Sequence, residues 1–156
     1  MTLPAEMIER LRQSGIRIDR EGEFQHEGQP VLHQGLREAL FRWLDRLDDG
    51  RYVLRLDAQR FAYVDVDDTP LVARGARVDG EAILLALSDG SEEPLDAATL
   101  TIDTAGVMRC RVRRGRLEAR LANSAATALS DRIEGEPTHP TLRLGGHRHP
   151  IAPRVP

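Results

Sequence analysis

The chain has 156 residues, 40% hydrophobic and 30% charged, which is enough to build a core and excludes a disordered chain. Its 22 basic and 25 acidic residues leave a formal charge of -3, so no global basic field invites extended nucleic acid. All 22 basic residues are arginine, which excludes Schiff-base and lysine-base chemistry, and a single cysteine, Cys110, excludes an internal disulfide.

The cysteine usage fits a reducing compartment. Residues 1–12 carry no apolar signal core, and the longest apolar run, residues 82–87, is too short to cross a bilayer. A cytoplasmic location with no membrane partner is expected.

A helix is expected over residues 2–12, with Thr2, Pro4 and Glu6 as cap and first turn, and Met7, Ile8 and Leu11 as its apolar face. Gly15 stops it. Residues 16–19 and 23–25 read as short strands around a turn, and Val31 with Leu32 as a third. The clearest helix spans residues 36–47. Leu36, Leu40, Trp43, Leu44 and Leu47 recur there at helical spacing, with Leu40, Trp43, Leu44 and Leu47 expected in the core. Residues 52–56 and 61–66 follow as strands.

The middle of the chain is a run of hairpins. Asp79-Gly80 joins strands near residues 71–78 and 82–87, Asp89-Gly90 marks a second turn, and Thr104-Ala105-Gly106 joins residues 99–103 to 107–113. This predicts an antiparallel meander. A second amphipathic helix is expected over residues 117–133, with Leu117, Leu121, Ala125, Ala128, Leu129 and Ile133 on one face. Its middle is poor in bulk, so a neighbour must pack closely there. Residues 141–144 and 147–151 read as strands around Gly145-Gly146, and the proline-rich end from Pro150 as a tail.

Segregated strands and helices argue for an α+β protein. Two packed sub-modules are expected, residues 1–68 and 69–152, with residues 153–156 as the tail. A short echo between Gly28-Gln29-Pro30-Val31 and His149-Pro150-Ile151 hints at duplication.

Several stretches, taken in order, carry a resemblance. They are the run from Gly22 through Glu23-Phe24-Gln25-His26-Glu27 to Val31, then Asp49-Gly50-Arg51-Tyr52-Val53-Leu54, then Val64-Asp65-Val66-Asp67-Asp68-Thr69-Pro70-Leu71-Val72. Arg116-Leu117-Glu118-Ala119-Arg120-Leu121 and Gly145-Gly146 with Pro150-Ile151 complete the set. Together they resemble the bacterial family named domain of unknown function 1285, DUF1285, over residues 15–151. The resemblance implies an α+β fold with a duplicated core and a second half like a pleckstrin-homology domain. It implies no established activity, and it suggests a nucleotide-like ligand at the interface of the halves and a role in signalling. This chain departs from the family's pattern at Asp57-Ala58-Gln59-Arg60 and in lacking aromatics on the last strands, where Leu142, Leu144, His147 and His149 stand. Few aromatics leave little for base stacking.

The strongest chemical feature is an arginine cluster. Arg109, Arg111 and Arg113 alternate with Met108, Cys110 and Val112, and Arg114, Arg116 and Arg120 continue toward the expected helix. Guanidinium forks on one face suit phosphate or carboxylate, and a helix start near Leu117 would add backbone donors. The plainer alternative is a solvated strand face with internal ion pairs. Asp65, Asp67 and Asp68 lack the glycine and distal glutamate of a calcium loop and suit a turn or pairing with the arginines. His26, His33, His139, His147 and His149 have no spacing of a closed zinc site. No nucleophile elbow, Walker loop, dinucleotide loop or His-Glu-x-x-His pair occurs. No metal and no cofactor are expected.

These readings favour a non-enzymatic, ligand-binding or signalling-associated protein that binds a small anionic or nucleotide-like ligand at the sub-module interface. The candidate ligand-binding residues are Arg111, Arg113, Arg116, Arg120, Asp67, Asp68 and His26. One alternative is an adaptor that binds a protein partner through exposed strand edges. Another is an enzyme assembled from dispersed residues such as Asp67, Asp68 and His26.

Overall fold

In the computed structural model, residues 5, 6, 9 and 12–155 are described. The helix expected from Thr2 lies mostly outside the described residues; of it, Ala5, Glu6 and Glu9 are helical. The backbone falls into two units, Met1–Pro70 and Leu71–Pro156. No helix among the described residues is long and apolar enough to cross a membrane.

The first unit contains β1 (Gln13–Ile18), β2 (Phe24–His26), β3 (Gln29–Pro30), α1 (Gln34–Trp43), β4 (Leu44–Arg46), β5 (Tyr52–Arg55) and β6 (Phe61–Val66). They form a six-stranded sheet in the order β3-β2-β1-β6-β5-β4. β1 and β6 run parallel, and every other pair is antiparallel. The β2–β3 hairpin turns on Glu27 and Gly28, whose φ of 49° and 82° are the left-handed values a two-residue hairpin demands.

The helix expected over residues 36–47 starts earlier and ends at Trp43. Leu44 leaves it with extended backbone and enters β4, opposite Leu54. Leu40 and Leu44 are buried as expected, whereas Trp43 and Leu47 are only half-buried. Phe41 is the buried aromatic instead, its ring edge-on to Phe24 at 4.7 Å between centroids.

The second unit contains β7 (Leu71–Asp79), β8 (Ala82–Leu87), β9 (Glu92–Pro94), a 3-10 turn (Ala97–Thr99), β10 (Thr101–Ile102), β11 (Met108–Val112), β12 (Leu117–Leu121) and α2 (Asn123–Leu129). A second 3-10 turn (Ser130–Arg132) then leads to β13 (Ile133–Glu134), β14 (Thr141–Leu144), β15 (His147–Pro150) and β16 (Ala152–Pro153). Seven strands pair in the order β16-β10-β11-β12-β7-β8-β9, and β13-β14-β15 form a separate three-stranded sheet. The expected meander is therefore a mixed sheet, because β12 lies parallel to β7 and β16 parallel to β10.

The expected helix over residues 117–133 is corrected. Residues Leu117–Leu121 are a central strand, and only Asn123–Leu129 are α-helical. Leu117, Ala119 and Leu121 also alternate at strand period, and their backbone pairs with β11 over residues 117–120 and with β7 over residues 119–121. The tail is corrected too. Ile151 is buried, and the N–H groups of Ala152 and Arg154 donate to the carbonyls of Leu100 and Ile102.

The two units share one strand order. β3-β2-β1-β6-β5-β4 matches β9-β8-β7-β12-β11-β10, with a parallel pair at the same place in each. The repeat of Gln29-Pro30 on β3 and the following Val31 is thus Glu93-Pro94 on β9 and the following Leu95, and not the stretch at His149. Hydrogen bonding agrees: Val31 N–H donates to Phe24 O, and Leu95 N–H to Ile83 O.

Candidate functional site

The arginines singled out in the sequence lie in the second unit, and Asp67, Asp68 and His26 lie in the first. Cross-strand pairing sets Arg109 opposite Arg120 and Arg111 opposite Glu118. These four side chains share one face of the sheet, while Cys110, Val112, Leu117 and Ala119 share the other. The face is not a plain solvated one, since Arg109 and Arg120 are both buried.

Burial requires partners for such charges, and the chain supplies them. Arg109 Nη1 donates to Asp103 Oδ2 at 2.8 Å. That bond, with the Val107 N–H, holds the Asp103 carboxyl below the usual carboxylate range. Arg113 Nη2 donates to Asp89 Oδ2 at 2.8 Å, and its backbone N–H reaches the Glu93 carboxylate at 3.1 Å. Glu118 accepts from Arg154. Arg116 and Arg120 are engaged as well. Arg113 and Arg114 take positive φ in the β11–β12 turn, so Arg113 departs from the strand's alternation. Residue 117 opens a strand, so the helix N-terminus expected to support an anion there does not exist.

Asp67 and Asp68 follow β6 and pair locally. Arg17 Nε lies 3.2 Å from Asp67 Oδ1, and Arg20 Nη1 donates to Asp68 Oδ2 at 3.0 Å. His26 is on β2 opposite Ile16, whereas the Asp67 N–H donates to Ile18 O on the far side of β1. β1 thus stands between this histidine and these carboxylates. Among the described residues, no group of three or more His, Cys, Asp or Glu is placed to hold a metal ion.

His26 belongs to a different feature. It lines a cleft of about 380 Å³ in the first unit, together with Ile16, Gln29, Pro30, Val31, Leu32, His33, Leu36 and Leu40. The lining is mostly apolar, and no carboxylate contributes to it. Leu32 is 82% exposed and Leu36 45% exposed, both among the most exposed large hydrophobic residues described. His33 is the N-cap of α1, its Nδ1 accepting from Leu36 N–H at 3.0 Å. An imidazole that accepts at Nδ1 is neutral and carries its proton at Nε2, so His33 offers one donor beyond the cap.

Leu32, His33 and Leu36 were not legible as site residues. Leu36 continues the spacing of the core stripe, but it sits in the first turn of α1 and stays exposed, whereas Leu40 and Phe41 are the helix's buried residues. In the second unit a short 3-10 turn stands where α1 stands in the first, and no comparable leucine is left open. Leu95, the counterpart of Val31, is buried, as are Ala97 and Leu100.

Comparison with solved structures bears on this fold. A DUF1285 family protein from Silicibacter pomeroyi superposes with a TM-score of 0.73 at 22% identity, over 90% of this chain and 80% of its own. A second, from Shewanella baltica, gives 0.63 at 19% identity, over 77% of this chain and 93% of its own. The fold is that of these DUF1285 family proteins. No protein-family model matches the sequence, and no curated protein matches it. At this identity the likeness to the DUF1285 structures carries the α+β architecture and no chemistry. The strand order of the second unit repeats the first and does not by itself establish a pleckstrin-homology likeness.

Proposed function

We propose that the protein is a non-catalytic binding protein whose working site is the cleft between the β2–β3 hairpin and the start of α1. The observation that carries this is the pair Leu32 and Leu36, left exposed on an apolar cleft, while Leu100, which matches Leu36 in the repeated unit, is buried. Isolated exposed leucines need no explanation, but adjacent ones on a concave apolar surface do. The cleft's volume falls in the range of small-molecule sites, with a few polar groups set in an apolar lining.

The adaptor reading has less support at edge strands β3 and β9. Val31 N–H points inward to Phe24, so Pro30 occupies the outward position of edge strand β3 and has no N–H to offer an added strand. Pro94 does the same on β9.

The test is a screen of small apolar fragments by amide chemical shifts in the NMR spectrum. Binders should perturb Leu32, His33 and Leu36, and Leu36→Glu should abolish their effect while leaving the fold intact. Binders that perturb only residues elsewhere would refute the assignment.

A further inference from the structure

The chemistry of the cleft specifies a class of ligand. Its polar lining consists of His26, His33 and Gln29, and no acidic side chain joins them. The hydrogen bond from Leu36 N–H consumes the Nδ1 lone pair of His33, which leaves Nε2–H as that ring's remaining polar group. His26 is exposed on β2, and either of its ring nitrogens can carry a proton. Gln29 adds an amide with an N–H₂ donor and a carbonyl acceptor. His33, His26 and Gln29 can thus each present an N–H, no carboxylate opposes an anion, and an apolar surface formed by Leu32, Leu36 and Leu40 lies beside them. We propose that the site takes a small aliphatic monocarboxylate. Its chain covers Leu32 and Leu36, and its carboxylate accepts from His33 Nε2–H and from His26. The two ends are complementary for separate reasons: burial of apolar surface for the chain, and charge-assisted hydrogen bonds for the head.

This inference rests on the cleft being the binding site, and the experiment separates the two. Octanoate and octan-1-ol serve as probes, titrated against the full chain and followed by amide chemical shifts and calorimetry. Octanoate should perturb Leu32, His33 and Leu36 and bind at least about tenfold more tightly than octan-1-ol, the effect of one charge-assisted hydrogen bond. His33→Asn tests the donor, since asparagine is a good N-cap but lacks the imidazole N–H. That variant should keep the parent's melting midpoint and octan-1-ol affinity while losing most of the octanoate preference. Equal binding of the two probes at the cleft would overturn the carboxylate class and leave the cleft standing. Unchanged octanoate affinity in His33→Asn would overturn the assigned donor. Binding of neither probe at these residues would overturn the proposal together with the cleft reading.

Discussion

Cys110 lies on β11 between two arginines, but its side chain points to the opposite face and is 1% exposed. Burial pushes its thiol up to about 12, with the carboxylates of Glu93, Glu118 and Asp96 adding to the effect. A thiolate is the reactive species, so a thiol reagent near pH 8 should label the native protein negligibly and label it fully once unfolded. Asp89 shows the balance of terms in the other direction. Desolvation raises its pKa, but hydrogen bonds from Ser91 and Arg113 together outweigh it and leave the carboxyl below its ordinary value. A depressed folded pKa contributes stability above the unfolded value, which is lost as the pH falls through the folded one. Asp89→Asn should therefore lower the melting midpoint at neutral pH. The gap to the parent should close as acid protonates Asp89, and a gap that is constant with pH would contradict the pairing. The alternation of arginines and apolar residues made the buried position of Cys110 readable in advance. The acid that meets each arginine was not readable, because Asp89 and Arg113 are brought together only by the β7–β12 and β7–β8 pairings.

Among the elements, β4 and α2 hold the clearest tests. Leu44 was read as helical and stands in a strand, yet its burial is the same in either reading because both place it on the inner side. Leu44→Ala should cost about 2–5 kcal/mol, measured by denaturant unfolding, as large-to-small core changes do. Ala125 on α2 is fully buried, and α2 packs on β7. Ala125→Leu should overpack that contact and cost about 1–3 kcal/mol; an unchanged midpoint would place the residue outside the core. The same stretch shows where periodicity fails. Leu117, Ala119 and Leu121 satisfy period two, while Leu117, Leu121 and Ala125 satisfy a helix. Glu118 and Arg120 alternate with them as on a half-exposed strand, but Arg120 is buried, and only the pairing with β11 and β7 selects the strand period over the helical one.

At the scale of the whole molecule, charge is spread in local pairs. Arg51–Asp49, Arg60–Asp57, Arg77–Glu92 and Arg143–Glu134 all lie within 3.0 Å at the surface. The Asp57 carboxyl is held at about 2, chiefly by its hydrogen bond from Arg60. Exposed pairs of this kind contribute little to stability and are screened by salt. Raising sodium chloride to about 1 M should move the melting midpoint by no more than a few degrees. A collapse of the midpoint would mean that the surface network, and not the core, holds the fold.

What the sequence by itself determined is local. Hairpin turns at Asp79-Gly80, Asp89-Gly90 and Gly145-Gly146, the α+β class, the burial of Cys110 and Ala125, and the absence of lysine chemistry all follow from residue type and short-range spacing. Tertiary structure decided three things: that residues 117–121 are a strand, that the two units repeat one strand order, and that Leu32 and Leu36 stay open while Leu100, the counterpart of Leu36, is covered. The physical reason is the same in each case. Strand pairing and burial depend on which distant segment lies opposite, and an apolar residue carries no mark in sequence that tells a core position from the lining of a cleft.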